Sequence, residues 1–367
     1  MRLRIKNNKK TAPRNRTSIK ACRDAHRHRR LVRAMMMLSG CALLTNFAAP
    51  AIGQHTDSET VQLIALLESD VKVDAAKVRQ LISEGADVNH ARTDGTTPLW
   101  MASQDGHTEV VQLLLAANAD VNAAHSTDGT NSLYQASFGR HAEVVQLLLD
   151  ANADVNTATT QGVTSLWIAS AAGFTEIVQL LLEADASLAT TGGVTSLYMA
   201  SLEGHTEIVQ LLLDANADVN IANKNGTTSL YAASLCGHTE VVQLLLDASA
   251  DVNAACTDGT NSLYMASMKG HSEVVQLLLD ANADVNAANT DGRTSMWAAQ
   301  NGRTDVEQQL LEANAMGEPS FAEGKGYYTA IHRARRDTAI RRARRHMARR
   351  AGYDRIVELL IENGATE

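Results

Sequence analysis

Residues Asp258 to Asn286 read DGTNSLYMASMKGHSEVVQLLLDANADVN. The stretch opens with Asp-Gly, a hairpin-type turn in which the glycine is free to take positive φ. A short apolar segment follows and stops at Gly270, so a first helix is expected there. Glu273 then falls in the first turn of a second helix, where a carboxylate favours the helix dipole. The run Val274-Val275-Gln276-Leu277-Leu278-Leu279 gives that helix an apolar face too wide for one partner, so it must be covered from both sides. Asn282 ends it, because Asn tolerates the left-handed conformation.

The same pattern recurs along the chain. Aligned on its turn glycine, it appears at Gly95, Gly129, Gly162, Gly193, Gly226, Gly259 and Gly292, with spacings of 34, 33, 31, 33, 33 and 33 residues. Each unit is predicted as turn, helix, tight turn, helix and loop. Thr97 caps the first helix of its unit and Pro98 takes the first helical position, where a missing N–H costs nothing. Gly106, Gly204 and Gly237 end first helices. Glu109, Glu143, Glu176, Glu207 and Glu240 open second helices, and Asn118, Asn152 and Asn216 close them. Helices of about ten residues are marginal alone, so stability must come from stacking the units into one core.

Thr97-Pro98-Leu99-Trp100-Met101-Ala102, the Gly-His-x-Glu-Val-Val segments and the Ala-Asp-Val-Asn segments resemble the ankyrin-repeat family. The resemblance covers roughly residues 55–315. It implies an all-α ankyrin-repeat solenoid that binds another macromolecule, foremost a protein, through hairpin tips and the exposed side of the first helices on its concave face. Carried onto this chain, those slots hold Thr93, Asp94, Thr96, Gln104, Asp105, Phe138, Gln161, Val163, Leu202, Glu203, Lys224, Leu235, Met268, Lys269, Arg293, Gln300 and Asn301. Phe138, Leu202, Leu235 and Met268 share one repeated slot. Either they form an exposed hydrophobic seam or they tuck against neighbouring helices.

The organisation expected is a leader (1–53), an N-terminal capping repeat (54–91), seven repeats (92–315) and an irregular basic C-terminal repeat (316–367). Thr338 to Arg345 nearly duplicates Thr329 to Arg336, which points to a small tandem duplication in the last segment. Three departures mark the body. Arg140 replaces the inter-helix glycine, shifting it to Gly139. Phe174 stands where histidine is usual. The third unit ends in Glu183 to Leu188 with a loop two residues short, so the stack is expected to bend or loosen near 183–193.

The net charge of −8 hides three blocks. Residues 1–33 carry +12, residues 54–315 carry −24, and residues 316–367 carry +4. An acidic body repels phosphates and disfavours nucleic acid as its ligand. The basic leader and the uncharged run Ala34 to Gly53 form the pattern of an export signal cleaved near Gly53. A lipidated Cys41, an organelle transit peptide, a membrane anchor and a later start among Met35 to Met37 are the competing readings. The arginines from Arg333 to Arg350 are either a solvated counter-charge or a contact for anionic lipid, nucleic acid or a targeting receptor.

Nothing points to chemistry. No GxGxxG, Walker A, HExxH or GxSxG motif occurs. The four cysteines form no CxxC pair. His107, His141, His205, His238 and His271 recur at one slot, but stacked helices lie about 8–10 Å apart, too far for them to share one ion. They are expected to bond backbone instead. Trp100, Tyr134, Trp167, Tyr198, Tyr231, Tyr264 and Trp297 recur at another slot, either as packing between first helices or as a strip for ligand contact. The expectation is a monomeric binding protein with no catalytic residue, metal or cofactor.

Overall fold

Thr97 shows how each repeat starts. Its backbone is extended, and its Oγ1 accepts a bond from the Trp100 N–H at 3.2 Å, with Pro98 as the first helical residue. Thr164, Thr195 and Thr228 cap later first helices in the same way. Asn131 and Asn261 do so with their side-chain carbonyls, at 2.8 and 2.9 Å. An oxygen at this slot satisfies one of the N–H groups that a helix start leaves without an internal partner.

The computed structural model describes residues 57–68, 73–188, 193–300 and 304–316. The leader with Cys22 and Cys41, the arginine-rich segment Arg333–Arg350 and the duplicated Thr329–Arg345 stretch lie outside the described residues. Among those described there are helices and no strand, only isolated bridges in the hairpins. The chain divides into two units, residues 1–315 and 316–367.

The helices come in pairs. The N-terminal pair is α1 (Ser58–Leu67) and α2 (Ala75–Ser83). Next come α3 (Pro98–Gln104) with α4 (Thr108–Ala116), α5 (Ser132–Phe138) with α6 (Ala142–Asp150), and α7 (Ser165–Ala172) with α8 (Thr175–Glu183). Then follow α9 (Ser196–Glu203) with α10 (Thr206–Asp214), α11 (Ser229–Cys236) with α12 (Thr239–Asp247), and α13 (Ser262–Lys269) with α14 (Ser272–Asp280). The final pair is α15 (Ser295–Gln300) and α16 (Thr304–Met316). First helices pack on first helices and second on second, so each pair touches its neighbours in sequence.

Two hydrophobic clusters hold the stack. The larger joins Leu99, Leu133, Leu166, Leu197, Leu230 and Leu263 from the first helices to the valines and leucines of the second helices. Every one of these leucines is at most 1% exposed. Burying such a side chain contributes about 1.5–3 kcal/mol relative to leaving it in water. The smaller cluster lies between first helices and contains Trp167, Ile168, Tyr198, Met199, Tyr231 and Met265. First helices are thus apolar nearly all round, as helices buried on several sides must be.

The second helices end as their sequence predicts. Asn118, Asn152, Asn216 and Asn282 have φ of 62, 62, 64 and 62°. In the first of these turns the Ala119 N–H bonds to Leu114 O at 3.0 Å. The shift of the inter-helix glycine to Gly139 needs correction. Gly139 has a right-handed backbone, and Arg140 itself takes the left-handed position, with φ of 64°. The hydrogen-bond pattern of the turn demands a positive φ at that position whatever residue occupies it.

Candidate interaction surface

Four of the repeated histidines tie their turn to the repeat before it. His141 Nε2 lies 3.0 Å from Gln104 O, His205 Nε2 3.3 Å from Ala171 O, His238 Nε2 3.2 Å from Leu202 O, and His271 Nε2 3.3 Å from Leu235 O. A carbonyl only accepts, so the imidazole donates from Nε2 in each case. Among the described residues no cluster of His, Cys, Asp and Glu could hold a metal ion. Cys236 and Cys256 form no disulfide. Burial pushes the Cys256 thiol up to about 11.

The hairpin tips form a second set of links. The Ser126 N–H donates to Asp94 O at 3.0 Å, Thr160 to Asp128 O at 2.8 Å, Thr257 to Asn225 O at 3.0 Å, and Thr290 to Asp258 O at 2.9 Å. Within a tip, the Asp94 carboxylate accepts from the Thr96 N–H, and Asp128 accepts from both the N–H and the hydroxyl of Thr130. Partial burial opposes ionisation of both carboxyls. The bonds from Thr96 and Thr130 and the nearby His125 outweigh it, and each carboxyl lies below its ordinary range.

The aromatic slot is mostly interior. Tyr134, Trp167, Tyr198, Tyr231 and Tyr264 are at most 8% exposed. The Trp100 indole N–H donates to Thr130 Oγ1 and that of Trp167 to Val194 O. These rings act as inter-repeat packing, not as a strip open to a ligand. Trp297 alone among them is exposed, and the Arg293 guanidinium lies 4.2 Å above its ring.

The expected contact residues divide. Thr93, Asp105, Gln161, Lys224, Lys269 and Gln300 are exposed, and Asp94, Gln104, Phe138, Glu203, Met268 and Arg293 are half-buried. Leu202 and Leu235 correct the idea of an exposed seam: they are 0 and 4% exposed, inside the cluster between first helices. The second apolar side of α9 and α11 packs on the adjoining first helices, so this slot points inward there. Thr96 and Val163 are buried as well. Asn301 lies outside the described residues.

Two residues of this face were not foreseen as contacts. Arg140 is exposed, and its guanidinium lies 5.7 Å over the half-buried ring of Phe174. Their departure from the repeat pattern was the available signal.

The repeats vary at the first-helix ends far more than along their second helices. The second helices are near copies, TEVVQLLLA, AEVVQLLLD, TEIVQLLLE, TEIVQLLLD, TEVVQLLLD and SEVVQLLLD, all without Lys or Arg. The first-helix ends differ each time: Gln104-Asp105, Phe138-Gly139, Ala171-Ala172, Leu202-Glu203, Leu235-Cys236 and Met268-Lys269.

A family model described as ankyrin repeats (3 copies) matches in overlapping segments from residue 71 to residue 318. The chain belongs to the ankyrin-repeat family. Its fold is similar to that of the human ASB11 ankyrin repeat domain, with a TM-score of 0.53 and 27% identity, over 61% of this chain and 100% of that one. Cortactin-binding protein 2 of Ornithorhynchus anatinus is 52% identical over 42 residues, which is 11% of this chain and 3% of that protein. The human mitochondrial disaggregase is 40% identical over 85 residues, 23% of this chain and 12% of the relative. The matched stretches are thus a small part of these relatives. Ankyrin repeats generally mediate protein–protein interaction, and the fold is typically not catalytic. Among the described residues no helix is long and apolar enough to cross a membrane.

Proposed function

We propose that this ankyrin stack is a scaffold that binds a protein partner through its hairpin tips and first-helix ends. One observation carries the reading: neighbouring repeats differ at the last position of the first-helix ends, where Asp105, Gly139, Ala172, Glu203, Cys236 and Lys269 are exposed or half-buried, while their second helices repeat almost unchanged. A surface that serves only to pack the stack needs the same residues each time. A surface that recognises a shaped partner needs different ones. Arg140, Lys224, Lys269 and Arg293 also lie on this side, whereas the second helices α4 to α14 expose only acidic and neutral residues. A partner with mixed charge and some apolar surface suits the first face best.

The test is site-specific photocrosslinking in the native host. Crosslinkers at Gln161 and Lys224 should capture a discrete protein adduct, and crosslinkers at the exposed second-helix residues Gln146 and Gln243 should not. Equal capture from both sets, or adducts of nucleic acid alone, would overturn the reading. A second reading rests on charge: the basic leader and Arg333–Arg350 contact anionic lipid or nucleic acid, with the stack as spacer. If the leader is cleaved near Gly53, partners are extracytoplasmic. The intact mass of the mature chain tests that.

A further inference from the structure

Among the described residues, the turns between first and second helices are closed by a residue at positive φ. Gly106, Gly173, Gly204, Gly237 and Gly270 do this at 72, 81, 83, 78 and 74°. Arg140 does it at 64°. An L side chain in that region is strained, and such strain clusters where a residue contacts a ligand. The turn is fixed on both sides of the arginine. The Arg140 N–H donates to Ser137 O at 3.4 Å and the His141 N–H to Ala136 O at 2.9 Å. His141 Nε2 then donates to Gln104 O of the preceding repeat at 3.0 Å. Arg140 thus presents its side chain from one settled backbone conformation.

Its charge is not compensated within the stack. Arg79, Arg92 and Arg293 each have a carboxylate: Glu109 at 3.8 Å, Glu68, and Asp291 at 3.6 Å. None of the ion pairs among the described residues includes Arg140. Yet residues 54–315 carry −24, so an exposed arginine without a carboxylate is the exception. The guanidinium lies instead 5.7 Å over the ring of Phe174. A guanidinium resting on a ring keeps N–H groups for a planar acceptor, and a carboxylate matches their fork. Phe174 orders the cation before any ligand arrives, which lowers the entropy cost of binding. Two residues earlier Phe138 ends α5, half-buried, its ring stacked on Tyr134 at 6.3 Å between centroids.

We infer that Arg140 anchors the protein partner: its guanidinium receives an Asp or Glu carboxylate of that partner, and Phe138 takes an apolar side chain next to the acid. The inference rests on the reading of the stack as a protein-binding scaffold and names the chemistry of one contact in it. Arginine and aromatic side chains dominate the binding energy of protein interfaces. Charge favours a lone carboxylate over a phosphate-rich surface. Nucleic acid or an anionic membrane brings many charges at once and is repelled by the acidic second helices, whereas one acid flanked by apolar groups is not.

A library of short random peptides panned against the full chain tests it. Bound peptides should be enriched in an Asp or Glu adjacent to a large apolar residue. Their affinity should fall about tenfold or more for Arg140→Gly, and by less for Arg140→Lys, which keeps the charge and loses the fork. Arg140→Gly gives the turn the residue of the other repeats, so urea unfolding should show it folded. Changing the acid of a bound peptide to its amide should weaken binding to the parent chain and not to Arg140→Gly. A library without binders, binders with no enriched acid, or binders indifferent to Arg140→Gly would overturn the contact. Protein adducts at Gln161 and Lys224 alongside any of these results would sink this contact alone. Equal capture at Gln161, Lys224, Gln146 and Gln243, with peptides that do depend on Arg140, would instead sink the scaffold reading.

Discussion

The guanidinium of Arg140 lies 5.7 Å over the ring of Phe174, and the two residues depart from the repeat together. In other units a glycine holds the turn and the next repeat's histidine packs on it. A Cβ at Gly106 would come within 2.3 Å of His141 Nδ1, and one at Gly204 within 2.6 Å of His238 Cε1. Arg140 has such a Cβ and a left-handed backbone. The histidine contact is therefore unavailable to it, and Phe174 provides a ring on which the cation rests.

This pairing predicts strong coupling. Phe174→His alone should cost about 1 kcal/mol, since it removes the cation–π contact and brings an imidazole against the Arg140 side chain. Arg140→Gly in the same chain should abolish most of that cost, because it relieves about 1 kcal/mol of left-handed strain and reopens the turn. A double-mutant cycle from urea unfolding measures it. Additive effects would mean that the two residues do not act as a pair.

Leu202 and Leu235 predict a different outcome from their neighbours. Leu202→Ala should cost about 2–5 kcal/mol, as buried leucine truncations do. Lys224→Glu, on an exposed tip, should change stability by no more than about 0.5 kcal/mol. Urea midpoints compared at constant slope decide the matter. A neutral Leu202→Ala would place that side chain outside the core.

The pH dependence follows from the titrating groups. The Asp94 and Asp128 carboxyls lie below their ordinary value of 3.8 in the fold. Their contribution is therefore present above about pH 4 and is lost as pH falls through the lowered folded values. Asp128→Asn should shallow the acid limb of a plot of stability against pH.

At the other end, burial pushes Cys256 from 9.0 to about 11 and Tyr134 from 10.0 to about 12. The unfolded chain gives up these protons first. Stability is thus intact below pH 9 and falls from pH 9 towards pH 12. Cys256→Ala should delay the onset of that fall. Its thiol should also react more slowly than the half-buried Cys236 with a maleimide at pH 8, read by mass spectrometry.

Much of this fold is visible in the chain because its determinants are local. Thr97 before Pro98, the Asp-Gly tips and the closing asparagines each act within a few residues, and the structure has the geometry that their chemistry demands. The burial of Leu202 and Leu235 was not visible. A leucine at the end of a short helix reads the same whether it faces solvent or an adjoining first helix, and only the stacking of α7, α9 and α11 decides. Arg140 misled for a related reason. Glycine preference suggested that Gly139 would take the turn, but the position in the turn sets the backbone, and arginine bears the strain. The pairing of Arg140 with Phe174 spans two repeats and emerges only once they are stacked.

The central claim is that the variable face of the repeats, not the basic termini, binds a protein partner. The most direct test is the affinity of the crosslinked partner for the full chain, for Lys224→Glu/Lys269→Glu, and for a chain lacking residues 333–350, each at two salt concentrations. The account predicts a loss of tenfold or more for the double variant and less than about twofold for the truncation, with modest salt dependence. Unchanged binding by the double variant, with collapse on truncation or on raising salt, would contradict it.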